Sequence, residues 1–346
     1  MKYLTFVFLS IAIIVTGCKN MRTKEPPEAT DSPEKKYQTT GEVERLSKKL
    51  DKIIPADALP EILAEGFEWS EGPLWLPDQK MVIFSDIPVN SIFKWDEDGG
   101  LELYLKPSGY TDTVSRSGES GSNGLLLDNE GRLVLCQHGD RRMARMDAGL
   151  DNPEPVFTTL SGMYNGKRLN SPNDAVYNSK NELFFTDPPY GLEQNVDDST
   201  KELDFQGVYK VTPGGETVLL TDELSRPNGI AFSPDETKIY IANSDPANAI
   251  WMVYDVIGEG TLANGRIFLD ATEQAGKERG LPDGLKVDDQ GNLFATGPGG
   301  VWVISPEGEH LGTIKTGEAT SNCAFNEDKS ILFITADMYL MRIKLK

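Results

Sequence analysis

Pro227-Asn228-Gly229-Ile230-Ala231-Phe232, followed by the turn SPDETK (233–238) and the β-rich run IYIAN (239–243), states a pattern that recurs down the chain. The other copies begin at Ser70-Glu71-Gly72-Pro73, Ser122-Asn123-Gly124-Leu125, Pro172-Asn173-Asp174-Ala175, Pro282-Asp283-Gly284-Leu285 and Ser321-Asn322-Cys323-Ala324. Each runs through a short apolar stretch and a polar turn into a second β-rich segment, such as MVIFSD (81–86), LFFTD (183–187) or ILFITA (331–336). The second residues of the six copies lie 52, 50, 55, 55 and 39 residues apart, close to the length of one four-stranded propeller blade. A lone blade cannot bury both faces, so six copies predict an all-β, six-bladed β-propeller. Equivalent positions in a closed ring face a common axis. Glu71, Asn123, Asn173, Asn228, Asp283 and Asn322 are therefore expected to converge at one end of the central channel. Turn capping explains an Asx at any single copy, but gives no reason for Glu at the same position.

The length of 346 residues admits two or three domains, yet the repeats tie about residues 58–346 into one. The chain finishes on a β-rich run (339–345), so the segment near 60–67 is expected to complete the last blade. Val43, Leu46, Leu50, Ile53 and Ile54 fall at helical spacing, which predicts a short helix opening the propeller domain of residues 43–346. Residues 1–17 read as a signal peptide: Lys2, an apolar core, then Val15-Thr16-Gly17 before Cys18. That arrangement resembles a bacterial lipobox. It implies a lipidated Cys18, a polar, disordered tether over 18–42, and a cell-envelope lipoprotein on the periplasmic or extracellular face. An incidental Cys after an ordinary secretory signal is the alternative. Cys136 and Cys323 lie in copies two and six and are expected to be buried free thiols. A net charge of −20 disfavours nucleic acid and anionic lipid surfaces as partners and favours attraction of a divalent cation. Membrane contact would come through Cys18 alone, with the folded part a monomer or weak dimer.

No G-x-S-x-G elbow, Walker loop or H-E-x-x-H occurs, and the two histidines, His138 and His310, have no partner at zinc-ligand spacing. What remains is an oxygen-only site. Glu71 and Asp283, with the carbonyls of Asn173 and Asn228, suit a hard divalent cation, Ca²⁺ before Mg²⁺ or Mn²⁺. Such a cation is a Lewis acid for ester opening. His138 ends the second strand of copy two and is a candidate substrate contact; a hydrogen-bonded core residue is the alternative. Arg141 and Arg142 read as a solvated hairpin pair, His310 as exposed on an outer hairpin, and Trp69 as approaching the pocket. Asp187 either lines the pocket or holds its turn. The loops 108–121 and 193–204 are expected at the pocket or its rim.

EGPLW (71–75), KRLNSPNDAVY (167–177), FFTDPPYGL (184–192), RPNGIAFSPDE (226–236) and LPDGLKVDDQGNLFATG (281–297) together resemble the gluconolactonase branch of the SMP-30/gluconolactonase/LRE family. The resemblance runs from about residue 60 to the C-terminus, and the RLNSPND and TDPPYG pair is its most specific part. It implies a six-bladed, calcium-dependent propeller that hydrolyses a sugar-derived lactone such as glucono-1,5-lactone. It also implies Glu71, Asn228 and Asp283 as metal ligands, and Asn173 as a further ligand or substrate contact. Arg168 would be a substrate-binding residue and Asp283 the general acid/base. Mg²⁺, Mn²⁺ or Zn²⁺ in place of Ca²⁺ stays open. So do a phosphotriesterase-like or other lactone or ester hydrolase on the same site, and a non-catalytic carbohydrate- or protein-binding propeller with a structural metal.

Overall fold

Runs of β-branched and aromatic residues between polar turns form the strands. In the first blade Met81–Asp86 is buried on both faces and reads as the apolar run MVIF ending in buried Ser85 and Asp86; Ser70–Leu76 and Ser91–Asp96 flank it, and Gly100–Leu105 forms the outer edge. Within this blade the pairings are antiparallel and follow chain order. The other innermost strands are Ser122–Leu127, Ala175–Tyr177, Pro227–Phe232, Leu285–Val287 and Thr320–Phe325. Each abuts the next and the last abuts the first, which closes the six-bladed ring. The computed structural model describes Met1, residues 36–114 and residues 116–346. The signal segment, Cys18 and most of the expected tether lie outside the described residues.

The last blade consists of Thr320–Phe325, Ile331–Ala336 and Tyr339–Lys344, with Glu61–Glu65 as its fourth strand. The register sets Tyr339 against Glu65 and Arg342 against Glu61, the closure expected for residues 60–67. Arg342 reinforces it: Nε lies 2.7 Å from Glu61 Oε2, and the guanidinium sits over the rings of Tyr37 and Trp95. Between blades, Trp251 meets Trp302 at 5.2 Å and Trp75 stacks on Phe333 at 5.5 Å. Cys136 and Cys323 are buried and free.

The helix expected after residue 43 does not form. Glu42–Arg45 is a strand on the outer edge of the fifth blade, pairing Val43 with Ile314 and Glu44 with Thr313, and Leu50–Lys52 is a single 3₁₀ turn. The reason is tertiary. The edge strand His310–Lys315 offers unpaired N–H and C=O groups, and pairing with them outweighs a modest helix propensity. The tether is correspondingly shorter than residue 42, because Gln38–Thr39 already pairs with Glu61 and Ile62. Part of this segment's apolar set still packs as its spacing suggested: Leu50 and Ile54 are fully buried against Phe294, Val301 and Ile343, whereas Leu46 is exposed. Leu50→Ala is therefore expected to lower unfolding free energy by about 2–5 kcal/mol, read from denaturant titration.

Candidate active site

The third residue of each repeat sets how closely the blades meet. A Cβ on Gly72 would lie 2.1 Å from the Asn123 carbonyl oxygen, and one on Gly229 would lie 2.2 Å from that of Asp283, so neither site accepts a side chain. Backbone N–H groups use this closeness: Gly124 donates to Asn173 O at 2.8 Å and Gly284 to Ser321 O at 2.8 Å. Hydroxyls of the second strands complete the stitching, with Ser85 Oγ on Asn123 O at 2.9 Å and Thr186 Oγ1 on Asn228 O at 2.7 Å. Ser321 Oγ donates to Ser70 O at 2.7 Å and joins the last blade to the first.

Glu71, Asn123, Asn173, Asn228 and Asp283 line one cavity of about 290 Å³, together with Trp69, Glu119, Tyr190 and Ser244. The sixth second-position residue, Asn322, stands behind Glu71 and donates from Nδ2 to its Oε2 at 3.2 Å; the Gly72 N–H donates to the same oxygen at 2.8 Å. Burial pushes the Glu71 carboxyl up to about 8, against the Gly72 hydrogen bond and with the charge of Asp174 adding to it. Asp283 is raised well above the usual carboxylate range, first by burial and then by the charges of Glu71, Glu119 and Asp174. Asn123 Oδ1, Asn228 Oδ1 and Asp283 Oδ1 are buried acceptors with no hydrogen-bond partner. Unpaired acceptors beside crowded carboxylates are costly on their own and are relieved by a cation. Oxygen donors alone fit a hard ion of the Ca²⁺ type. Among the described residues no group of three or more His, Cys, Asp or Glu is gathered for a metal, so amide oxygens would have to supply part of any ligand shell.

Other expected residues fall elsewhere. His138 is fully buried and does not line the cavity; its Nδ1 lies 3.1 Å from Glu119 Oε2, and neither ring nitrogen has an aligned hydrogen bond. Arg168 sits on the exposed hairpin strand Lys167–Arg168, outside the lining, with Nη2 on Asp140 O at 3.3 Å. Leu169–Ser171, between this exposed strand and the lining residue Asn173, is fully buried. Arg141 is not a solvated residue: it is buried and donates from Nε to Leu169 O at 2.8 Å and from Nη1 to Thr200 O at 2.9 Å. Nor is His310 exposed, since its ring stacks on Trp302 with centroids 3.9 Å apart, and burial lowers its pKa. Trp69 does reach the cavity. Asp187 holds its turn: Oδ2 accepts the Asn170 N–H and Oδ1 the Ser171 N–H, each at 2.8 Å, tying the RLNSPND and TDPPYG segments together. Glu119 went unrecognised as a lining residue, because its loop obeys no repeat; only the placement of 108–121 near the rim pointed toward it.

A six-bladed propeller with a carboxylate and amide oxygen site at one end of its channel is the class that fold and cavity define. The chain belongs to the SMP-30/gluconolactonase/LRE-like family, whose characteristic region matches residues 69–337. It is 37% identical over 314 residues to a gluconolactonase of Zymomonas mobilis, spanning 89% of this chain and 87% of that one. A solved structure of a gluconolactonase from Xanthomonas campestris matches with a TM-score of 0.76 and 32% identity, over 90% of this chain and 96% of its own. Regucalcin of Agrobacterium tumefaciens, a calcium-binding protein, shares the fold with a TM-score of 0.64 at 18% identity, over 82% and 94% of the two chains.

The Asp187 contacts give a direct test of the turn. Asp187→Ala strands two buried N–H groups and is expected to cost about 2–5 kcal/mol of stability, while Asp187→Asn, which keeps one acceptor, loses less; thermal unfolding of the two variants checks the order.

Proposed function

We propose that this enzyme is a lactonase that opens a sugar-derived lactone such as D-glucono-1,5-lactone with a divalent cation, Ca²⁺ on donor chemistry, bound in the cavity. One observation carries the reading: the carboxylates of Glu71 and Asp283 and the two unpaired amide oxygens of Asn123 and Asn228, from four different blades, converge on a single cavity of about 290 Å³. The gluconolactonases of Zymomonas mobilis and Xanthomonas campestris support the substrate class, and the calcium-binding regucalcin supports the ion. Glu71, Asn228 and Asp283 would hold the cation, with the Asn123 and Asn173 amides turned to the same space. When bound, it supplies Lewis-acid polarisation of the lactone carbonyl. Asp283 takes the proton of the attacking water on one carboxylate oxygen and returns it to the ring oxygen as the C–O bond breaks. Trp69 and Tyr190 wall the cavity, and the Tyr190 hydroxyl is fixed on Ser244 O at 3.1 Å. Their flat faces orient a single sugar-sized ring.

Hydrolysis of D-glucono-1,5-lactone, corrected for spontaneous opening, is expected to vanish with a chelator and return with Ca²⁺. Asp283→Asn is expected to lower kcat about 10²–10⁴-fold. A near-normal rate in that variant would remove Asp283 from proton transfer. At the N-terminus we place the lipid on Cys18, as the lipobox resemblance implies; Cys18→Ala is then expected to move the protein from the membrane to the soluble fraction of cells.

A further inference from the structure

Glu119 is a third carboxylate on the cavity wall, and the reaction above gives it no task. It comes from the segment between the outer edge of the first blade, ending at Leu105, and the second blade, starting at Ser122. That segment is pinned beside it. Arg116 Nη1 donates to Gly139 O at 2.9 Å, its Nη2 donates to Gly191 O, and the Ser117 N–H donates to Glu193 Oε1 at 2.9 Å. Behind Glu119 stands His138, with no exposed surface and its Nδ1 at 3.1 Å from Glu119 Oε2. Gly191 packs on the same imidazole so closely that a Cβ there would lie 2.6 Å from His138 Cβ. The ring is thereby clamped, and both its nitrogens lack an aligned hydrogen bond. A fully buried imidazole kept this way is costly unless its neighbour completes its hydrogen bonding, and the contacts of a binding site often align only in the complex.

We propose that Glu119, positioned by His138, binds the hydroxyl groups of the substrate and makes the site select a polyhydroxylated lactone over an unsubstituted one. This rests on the lactonase reading. A carboxylate accepts hydrogen bonds only, and its two oxygens match two neighbouring O–H donors on a sugar ring. The charge of a divalent cation is already met by Glu71 and Asp283, which leaves Glu119 free for this role. A site built to bond a hydroxyl discriminates strongly against an analogue that lacks it, because the protein group is then left unpaired.

The test compares the full-length protein with Glu119→Ala and His138→Phe, after thermal unfolding shows that each variant folds. In Glu119→Ala the ratio of kcat/KM on D-glucono-1,5-lactone to that on δ-valerolactone is expected to fall about tenfold or more, chiefly through KM. His138→Phe shifts the ratio in the same direction, and His138→Asn, which keeps a donor, restores part of it. An unchanged ratio in Glu119→Ala overturns the proposal. Calorimetric binding of 1,5-anhydro-D-glucitol, a ring with hydroxyls and no ester, separates this from the lactonase reading. If the wild type hydrolyses neither lactone but Glu119→Ala weakens that binding about tenfold, the lactonase reading fails and the hydroxyl site stands. Wild-type binding no tighter than the variant's, including none in either, overturns the hydroxyl site.

Discussion

The contact on which this molecule depends is the meeting of consecutive repeat starts, which at Gly72, Gly124 and Gly229 is backbone against backbone. Gly72 faces the carbonyl of Asn123, and Gly229 faces that of Asp283. The residue that must be small in one blade thus touches the residue that carries the chemistry in the next. Spacing between the acceptor oxygens is set by main-chain contacts, which side-chain motion cannot loosen. That is how a site made of flexible-looking amides and carboxylates is held rigid enough to bind a cation and orient a substrate.

Rigidity of this kind is paired with electrostatic frustration. Glu71, Asp174 and Asp283 are acidic groups at the centre of an already acidic chain, and burial raises all three. The third repeat carries Asp174 where four others have Gly, and Lys286 Nζ approaches its Oδ2 at 3.7 Å. Lys286 also donates to Asn322 Oδ1 at 3.4 Å, and Asn322 in turn holds Glu71. One cation is therefore built into the channel from the protein itself. The unpaired oxygens above it mark where stability has been given up for binding.

The ring was readable because six copies of one short pattern must occupy equivalent places, and five of their second residues do share the cavity. Closure by residues near 60–67 was readable for the same reason, since the last copy lacked a fourth strand. The segment at 42–54 was not, because Val43, Leu50 and Ile54 satisfy a helical period while an open blade edge elsewhere in the fold decides their conformation. Arg168 and His138 do not line the cavity. One lies on an exposed hairpin strand and the other lies behind Glu119. Glu119 itself belongs to a loop with no counterpart in the other blades, so no internal comparison could single it out.

The fourth strand of the last blade has a bearing on how the chain is made. Glu61 and Arg342, which bond across that blade, are 281 residues apart in sequence. During synthesis the strand Glu61–Glu65 emerges early with only Gln38–Thr39 beside it, and its other edge must wait for Tyr339–Lys344 until nearly the whole chain has followed. The first five blades can assemble one after another from local hairpins, whereas sealing the ring is a long-range event with a large loop entropy to overcome. Until then an open edge is exposed at each side of the gap, so the interval before sealing is when the nascent protein is most vulnerable to pairing with a neighbour.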